Sequence, residues 1–213
     1  MLKDSLTHSE TIVTRCFATI EAMRNRVNIA LLRARGCVIG TGVTIEKWAI
    51  FKWRVSIGDG TKILGGARIE NSIIGKNCEI GGEVKRSHLW DDVKAKHQCV
   101  ILNAHIGDHS NIAAGVVFGN YNGIGKGFFE LGEGVFVGAN STIVFKSETE
   151  DRIIGDWSYI PENTGIECDL PEFWRFIPSD RYKNPQTDDI PISGWYIRPQ
   201  SKINIARKSK QNK

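Results

Sequence analysis

The sequence contains no C-x-x-C pair and no apolar run long enough to cross a membrane. Its five cysteines are odd in number and widely scattered, which argues against a disulfide framework and favours reduced thiols and a cytoplasmic location. No stripe of basic residues interleaved with aromatics precedes the C-terminal ARKSKQNK, and the net charge is only +4. We therefore expect no nucleic-acid partner and no stable membrane insertion, while the small positive excess favours an anionic ligand.

Residues 1–36 are predicted to form a helical segment. Thr7 and Glu10 have the spacing of a capping box, and Gly36 suits a helix exit. Apolar residues recur on one face at helical spacing: Val13, Cys16, Phe17, Ile20, Val27 and Leu31. We expect one helix over residues 8–35 that packs over an end or a flank of the main domain. A helix lying on a membrane surface is the alternative.

From Cys37 onwards the sequence repeats every six residues. The repeats begin with Ile, Leu or Val and mostly continue with Gly, as in IGDGTK and IGDHSN. They start at Ile39, Ile57, Ile63, Ile74, Ile80, Ile106, Ile112, Leu131 and Val137. A hexapeptide repeat is typical of a parallel β-helix, in which each short strand points one aliphatic residue inward before the chain turns a corner. Because three faces make a coil and stacked coils pair as parallel strands, we predict an all-β domain over residues 37–162.

Two segments break the repeat, and a third region lies beyond it. The hexads blur over residues 85–102, which carry bulky and charged side chains, and again over residues 119–130, where we predict a loop that bulges out of the coil. From about Glu162 the hexads end in a stretch rich in proline and aromatic residues. We predict an irregular C-terminal arm and a basic tail over residues 163–213.

One part of the repeat region resembles a known family. The run KAKHQCVILNAHIGDHSNIAAGVVFGNYNGIGK, followed by LGEGVFVGANSTIV, is similar without a gap to the acetyltransferase domain of the bacterial bifunctional enzymes that acetylate glucosamine-1-phosphate and then attach uridylate. Its N-Y-x-G element is much rarer than a hexad. The resemblance covers residues 85–143, with an earlier match at 69–80, and leaves out the N-terminal helix and the C-terminal arm.

This resemblance implies a left-handed parallel β-helix of hexapeptide repeats that assembles as a homotrimer, with active sites in clefts between subunits. It implies direct acetyl transfer from acetyl-CoA to a sugar amine, and His97 takes the place of the catalytic base. The implied substrate-binding residues are Lys85, Asn111 and Lys126, and the implied acetyl-CoA contacts are Ala114, Asn120, Tyr121 and Ala139. Two positions depart from the family pattern: Val100 replaces a tyrosine, and Ala67, with Arg68 beside it, replaces a phosphate-binding arginine.

Acyl transfer from a thioester suits these residue types. The attacking group must lose a proton to a base with a pKa near neutrality, and the tetrahedral oxyanion needs hydrogen-bond donors. We predict an amine of a sugar phosphate or nucleotide sugar as the acceptor. Sugar O-acetylation in surface polysaccharide synthesis and a non-catalytic sugar-nucleotide binder are alternatives on the same fold.

A zinc hydrolase of the carbonic-anhydrase type is a further alternative on this fold. It would use His105 and His109, four residues apart, with His88 and His97 upstream. Because a His-x-x-x-His pair in extended structure is weak evidence for a metal, we predict no metal. We also predict no covalent acyl-enzyme, since no cysteine has a convincing base beside it in the sequence.

Overall fold

The computed structural model describes the backbone of residues 2–147, 149–178, 190–192 and 195–199, and the side chains of residue 14 and of residues 17–147 and 149–176. One helix, α1 (Leu2–Ala34), precedes a long series of short strands. The strands are β1 (Val38–Ile39), β2 (Thr44–Ile45), β3 (Ile50–Ile57), β4 (Lys62–Ile63), β5 (Arg68–Ile74), β6 (Glu79–Ile80), β7 (Glu83–Lys85), β8 (His88–Leu89), β9 (Lys94–Ala95), β10 (Val100–Leu102), β11 (Ala104–Ile106), β12 (Asn111–Ile112), β13 (Val117–Gly119), β14 (Phe129–Leu131), β15 (Phe136–Val137), β16 (Thr142–Val144), β17 (Arg152–Ile154), β18 (Tyr159–Ile160), β19 (Gly165–Ile166), β20 (Trp174–Pro178), β21 (Ile190–Ile192) and β22 (Trp195–Pro199).

The strand pairing shows how the chain winds. Val38 pairs in parallel with Ser56, 18 residues further along, and the next two strands repeat this offset. Three hexads therefore make one turn of a parallel β-coil, as the sequence predicted. Face 1 contains β1, β8, β11, β14 and β17 with the second halves of β3 and β5; face 2 contains β2, β4, β6, β9, β12, β15, β18 and β20; face 3 contains β7, β10, β13, β16 and β19 with the first halves of β3 and β5.

Aliphatic side chains stack inside this prism, one per strand. On face 1, Ile106 lies between Leu89 and Leu131 in register, and all three side chains are buried. Phe118, on face 3, is likewise fully buried and meets the ring of Phe129 edge to face. The residues that begin the predicted hexads are all buried, which confirms the predicted core. Each coil adds its layer to a continuous apolar column, so coils stabilise one another.

The three corners each carry a column of left-handed backbone. Corner 1 joins faces 1 and 2, corner 2 joins faces 2 and 3, and corner 3 joins face 3 to the next face 1. The non-glycine residues with positive φ are Asn77, Asp92, His109, Trp157 and Phe173 at corner 1, Trp48, Gln98, Asn140 and Asn163 at corner 2, and Trp53, Asn71, Arg86 and Asn103 at corner 3. Asn, Asp and His are tolerated there because their short polar side chains reduce the cost of this conformation.

Coil length changes most where the chain passes corner 3 with an inserted loop; in the other coils, paired residues lie 15 to 18 positions apart. Residues 85–102, where we expected an interruption, continue the coil, and Val100 pairs with Glu83, 17 residues earlier. The repeat was hidden there because Ala95 and Leu89 replace the usual Ile-Gly start. The predicted loop is confirmed: Val117 pairs with Thr142, 25 residues on, since residues 120–128 leave the coil at corner 3. A second loop at the same corner joins β16 to β17.

Helix α1 begins earlier than predicted and uses a different face from the one expected. Asn25 binds the open edge of the first coil: its side chain donates to the Val43 carbonyl at 3.0 Å and accepts from the Ile45 amide at 2.8 Å. Leu32 completes the core beneath it. The predicted apolar face is exposed instead, at Phe17, Ile20, Val27 and Leu31; the side chains of Val13 and Cys16 lie outside the described residues. Helical spacing identified the apolar stripe correctly, but it did not identify the face that contacts the coil. That face is set by the hydrogen bonds of Asn25 to the coil edge. Within the described residues no helix has the length and apolarity needed to span a bilayer.

The coil extends past the predicted end of the hexads. Ile143 pairs with Ile166, and Tyr159 pairs with Arg175, so β19 and β20 continue faces 3 and 2. β22 then pairs antiparallel with both β20 and β21. Regular strands therefore lie in the described part of the region for which we expected an irregular arm. The aromatic and proline-rich sequence conceals them because it has no Ile-Gly hexads. The basic tail lies outside the described residues.

Candidate functional site

The predicted base and two of the predicted acetyl-CoA contacts share corner 2. The Gly115 amide donates to the His97 carbonyl at 3.0 Å, and the Asn140 amide donates to the Ala114 carbonyl at 2.8 Å. The Ala139 carbonyl accepts from the next coil in the same way. His97, Ala114 and Ala139 are therefore stacked on consecutive coils, about 5 Å apart per coil.

Corner 2 is open to a ligand. The His97 side chain is exposed and makes no hydrogen bond or ion pair within the described part of the chain. Within the same part, the backbone N–H groups of Ala114 and Ala139 donate to no acceptor. An imidazole beside two unused N–H donors and two small side chains can accept a proton and bind an extended ligand along the corner.

The loop of residues 120–128 is ordered by its own hydrogen bonds at corner 3. Asn120 is buried, and its carbonyl accepts from the Gly127 amide at 3.0 Å. The Asn122 side-chain oxygen accepts hydrogen bonds from the backbone amides of Ile124 and Gly125, at 2.9 Å each, which forms an Asx turn. Tyr121 is exposed and donates its hydroxyl to the Gly123 carbonyl. Lys126 is exposed, so its charge is available to a ligand.

Asn103 joins this loop to the coil below it, a role the sequence analysis missed. Its side-chain oxygen accepts from Arg86 Nε at 2.8 Å, and its side-chain nitrogen donates to the Gly127 carbonyl at 3.2 Å. Its backbone amide donates to the Lys85 carbonyl at 3.0 Å. The signal in the sequence was an asparagine at a corner, which suits left-handed backbone but does not reveal which loop its side chain will bind.

Lys85 lies at the same corner and is already paired. Its ammonium lies 2.7 Å from a carboxylate oxygen of Glu70, whose other oxygen lies 3.4 Å from Arg68. Hydrogen bonding to Lys85, and then to Arg68, lowers the pKa of Glu70. Arg68 also lies 3.5 Å from Glu83. Lys85, an expected substrate-binding residue, is therefore paired with a buried carboxylate that nothing in the sequence pattern indicated.

Asn111 lies apart from both groups. It is the first residue of its face 2 strand, is exposed, and pairs in register with Lys94 and Phe136. Between His97 and Asn103 the chain crosses the whole of face 3, a path of about 20 Å at most. One chain thus distributes the predicted site residues over three edges of the prism and gathers only those of corner 2 and those of corner 3.

The other histidines whose side chains the structure describes have partners of their own. His105 Nδ1 lies 2.8 Å from Glu130, and the His88 ring stacks on Trp90 with centroids 4.3 Å apart. Burial, and then the nearby His105, lowers the pKa of His88. His109 Nδ1 lies 3.5 Å from Asp92. Among the residues whose side chains are described, no group of three or more His, Cys, Asp or Glu could hold a metal ion.

The buried thiols of Cys78 and Cys99 are poor nucleophiles. Burial raises the pKa of Cys78 to about 12 and that of Cys99 to about 11. Since the thiolate is the reactive form, neither thiol is activated.

The repeat and its three-hexad register define the class: a hexapeptide-repeat parallel β-coil with one capping helix. The predicted resemblance is confirmed by the relatives. The chain is 41% identical over 109 residues to the bifunctional protein GlmU of Aquifex aeolicus, covering 50% of this chain and 22% of that protein. It is 32% identical over 200 residues to GlmU of Idiomarina loihiensis, covering 76% of this chain and 41% of that protein. The chain thus spans less than half the length of these relatives. No protein-family model matches it.

Solved structures give a weaker likeness. A putative acetyltransferase from Desulfovibrio desulfuricans has a TM-score of 0.48 at 16% identity, covering 89% of this chain and 39% of that chain. AntD, an N-acyltransferase from Bacillus cereus in complex with dTDP-4-amino-4,6-dideoxyglucose and coenzyme A, has a TM-score of 0.47 at 16% identity, covering 83% of this chain and 90% of that chain. Likeness at this level does not establish a shared activity.

Proposed function

We propose that the protein transfers an acetyl group from acetyl-CoA to the amine of a sugar phosphate or nucleotide sugar, with His97 as the general base. The observation that carries the proposal is the open corner 2, where the exposed His97 imidazole and the N–H groups of Ala114 and Ala139 have no partner among the described residues. The similarity to GlmU of Idiomarina loihiensis covers 76% of this chain, enough to include corner 2, and supports the same chemistry.

In the proposed reaction the nitrogen of the acceptor amine attacks the thioester carbonyl, and His97 takes the proton that the amine loses. The tetrahedral intermediate then expels the CoA thiolate, which is protonated as the amide forms. The Ala114 and Ala139 N–H groups suit contacts with the carbonyl oxygens of the pantetheine arm, because small side chains leave their backbone accessible. Asn120 and Tyr121 are proposed to contact acetyl-CoA from the loop at corner 3.

We propose that Lys126, Lys85 and Asn111 bind the acceptor. Lys126 is exposed and offers a full charge to a phosphate. Lys85 is paired with Glu70, so an acceptor phosphate would share its ammonium with that carboxylate. Asn111, exposed on face 2, is suited to neutral hydrogen bonds with sugar hydroxyls.

We further propose a left-handed winding and a homotrimer whose active sites lie at the seams between chains. Two observations support the trimer. The proposed residues occupy three edges of one prism, and an apolar stripe on α1, including Phe17, Ile20, Met23, Val27 and Leu31, is exposed in the single chain. A symmetric assembly would cover such a stripe and bring corner 2 of one copy against corner 3 of the next.

A thiol-release assay with acetyl-CoA tests the activity. The acceptors should include amino sugars, their phosphates, nucleotide-linked amino sugars and hydroxyl-only sugars, since sugar O-acetylation would show as turnover with the last group. We expect His97→Ala to lower kcat/KM about 100-fold or more while the oligomeric mass is unchanged. The matched control is His109→Ala, which removes a half-exposed imidazole at corner 1. Full activity of the His97 variant, or equal loss in the control, would refute the assignment.

A mixing experiment tests the seam. His97→Ala and Lys126→Ala chains are combined under conditions that exchange subunits, and activity is compared with each variant alone. If the two residues act across a seam, about one quarter of seams in randomly mixed trimers pair an intact His97 with an intact Lys126. Activity near one quarter of wild type is then expected. No recovery, with exchange verified by mass spectrometry, would place both residues in a single-chain site.

A further inference from the structure

A cavity lies on face 1, across the prism from corner 2. It has a volume of about 860 Å³ and lies between the end of α1 and the first five coils. Arg35, Arg54 and Arg86 all line it, together with Asn71 and His88. This volume is in the range of small-molecule sites. None of the proposed acyl-transfer residues lines the cavity, so nothing in the proposed function accounts for it.

The charges around this arginine cavity are unbalanced. No Asp or Glu among the described residues lines it, and Glu130 is paired with His105, which does line it. The guanidinium groups of Arg35 and Arg54 have no partner in the described part of the chain. Arg86 uses only Nε, toward Asn103. Three cationic residues that line one concave surface create a positive field there, which an anion would neutralise.

The spacing of the arginines suits a ligand larger than a single phosphate. Trp53, Asn71 and Arg86 form the corner 3 column on successive coils, so Arg54, next to Trp53, lies about 10 Å along the prism from Arg86. Arg35 approaches from the helix end. Guanidinium groups bind phosphate oxygens in bidentate geometry, and long side chains at this separation can converge on two linked phosphates.

One wall of the cavity is apolar. Val38 and Ile73 lie in register on face 1, on either side of Ser56, and both are exposed. Phe128 closes the far end, where its ring meets His105 edge to face. A purely inorganic anion would gain nothing from this wall, whereas an organic group attached to the phosphates would cover it.

We propose that the arginine cavity binds an organic diphosphate, such as a nucleoside diphosphate or a nucleotide sugar. Arg35, Arg54 and Arg86 bind the two phosphates, and the wall of Val38 and Ile73 contacts the organic group. The proposal stands apart from the acyl-transfer proposal, because the cavity lies on the face opposite His97 of the same chain and its binding can be measured without turnover.

Isothermal titration calorimetry at low salt tests this site with UDP, inorganic pyrophosphate and inorganic phosphate. We expect UDP to bind most tightly and phosphate least. Arg54→Ala should weaken UDP binding about tenfold or more. Arg54→Lys should weaken UDP binding less, since lysine keeps the positive charge and loses only the bidentate geometry of the guanidinium group. The control Lys62→Ala removes one exposed charge on face 2 and should change the affinity less than twofold. Val38→Ser should weaken UDP but not pyrophosphate.

Several outcomes would overturn the proposal. One is the absence of UDP and pyrophosphate binding to the wild-type protein at millimolar concentration. Another is that Arg54→Ala and Lys62→Ala lower the affinity for UDP by the same factor. If UDP binds no better than pyrophosphate, the organic part of the ligand is wrong. If Arg54→Ala changes the oligomeric mass and leaves pyrophosphate affinity intact, the arginines are subunit contacts instead. Circular dichroism confirms that each variant is folded.

Discussion

Replacing Gly107 with alanine would probe why glycine follows the aliphatic residue in so many hexads. The backbone of Gly107 is not in the left-handed region, so conformational freedom does not explain it. A Cβ placed on Gly107 would lie 2.5 Å from the carbonyl carbon of Gly132 and 2.6 Å from the Glu133 nitrogen, in the backbone of the next coil. Glycine is therefore needed here because successive coils approach too closely for a side chain.

The size of the effect follows from what must move. Ordinary contact distances require a displacement of about 1 Å, against a backbone fixed by the Gly107 amide donating to Leu131 at 2.8 Å and the Gly132 amide donating to Ile154 at 2.9 Å. Overpacking costs about 1–3 kcal/mol, and weakening one such hydrogen bond costs about 1 kcal/mol. We expect Gly107→Ala to reduce the free energy of unfolding by about 2–4 kcal/mol.

Thermal and urea unfolding followed by circular dichroism measure this loss. The expected loss corresponds to a fall in Tm of roughly 5–15 °C for a chain of this size. The matched control is Gly165→Ala: no atom lies within 4 Å of its ideal Cβ, and its φ is not positive. We expect the control to be neutral or stabilised by up to about 1 kcal/mol. If both variants unfold together, or Gly107→Ala loses less than about 1 kcal/mol, the close-approach explanation is wrong.

Two further predictions concern buried groups. Hydrogen bonding to Lys85 lowers the folded-state pKa of Glu70, so its stabilisation is present above its ordinary pKa and is lost as the pH falls through the lower folded value. Thermal unfolding at a series of pH values across that acidic window should therefore show that the difference in the free energy of unfolding between wild type and Glu70→Gln becomes smaller as the pH falls. A difference that does not change with pH, or the same decrease for the half-exposed Glu83→Gln, would contradict this explanation. Iodoacetamide labelling at pH 8 should leave Cys78 and Cys99 unmodified in the folded protein and modify both after denaturation, because burial raises their pKa values; mass spectrometry locates the label, and equal labelling in both states would refute this.

The core was predictable because its period is written in single residues. Ile106, Ile112 and Phe118 lie six apart and are all buried in consecutive strands. Each inward position is decided by local chain geometry, so periodicity alone fixes which side chain faces inward. Ala95 occupies an inward position where most hexads have a larger aliphatic residue. The six-residue period is therefore not recognisable there in the sequence, although the coil continues.

The surroundings of the site were not predictable in the same way. The exposed stripe on α1 was visible as a pattern, but the sequence could not tell that Asn25, on another face, would bind the coil edge. Likewise the Lys85–Glu70 pair joins residues 15 apart, a separation set by one short coil rather than by any repeat unit. Which side chains meet across coils depends on the exact number of residues in each coil. Where the hexads are irregular, the sequence does not specify that number.

The distribution of insertions suggests how this scaffold divides its tasks. Both long loops leave the coil at corner 3, and the arginine cavity opens beside the same corner, whereas corners 1 and 2 keep their tight turns. An insertion at a corner leaves every strand register intact, because each inward side chain still stacks on its counterpart in the coil below. Corner 3 can therefore vary to suit an acceptor while corner 2 holds His97, Ala114 and Ala139 in fixed positions. Since face 3 separates these corners within one chain, the chemistry we propose requires that the corner 2 of one copy lie against the corner 3 of another.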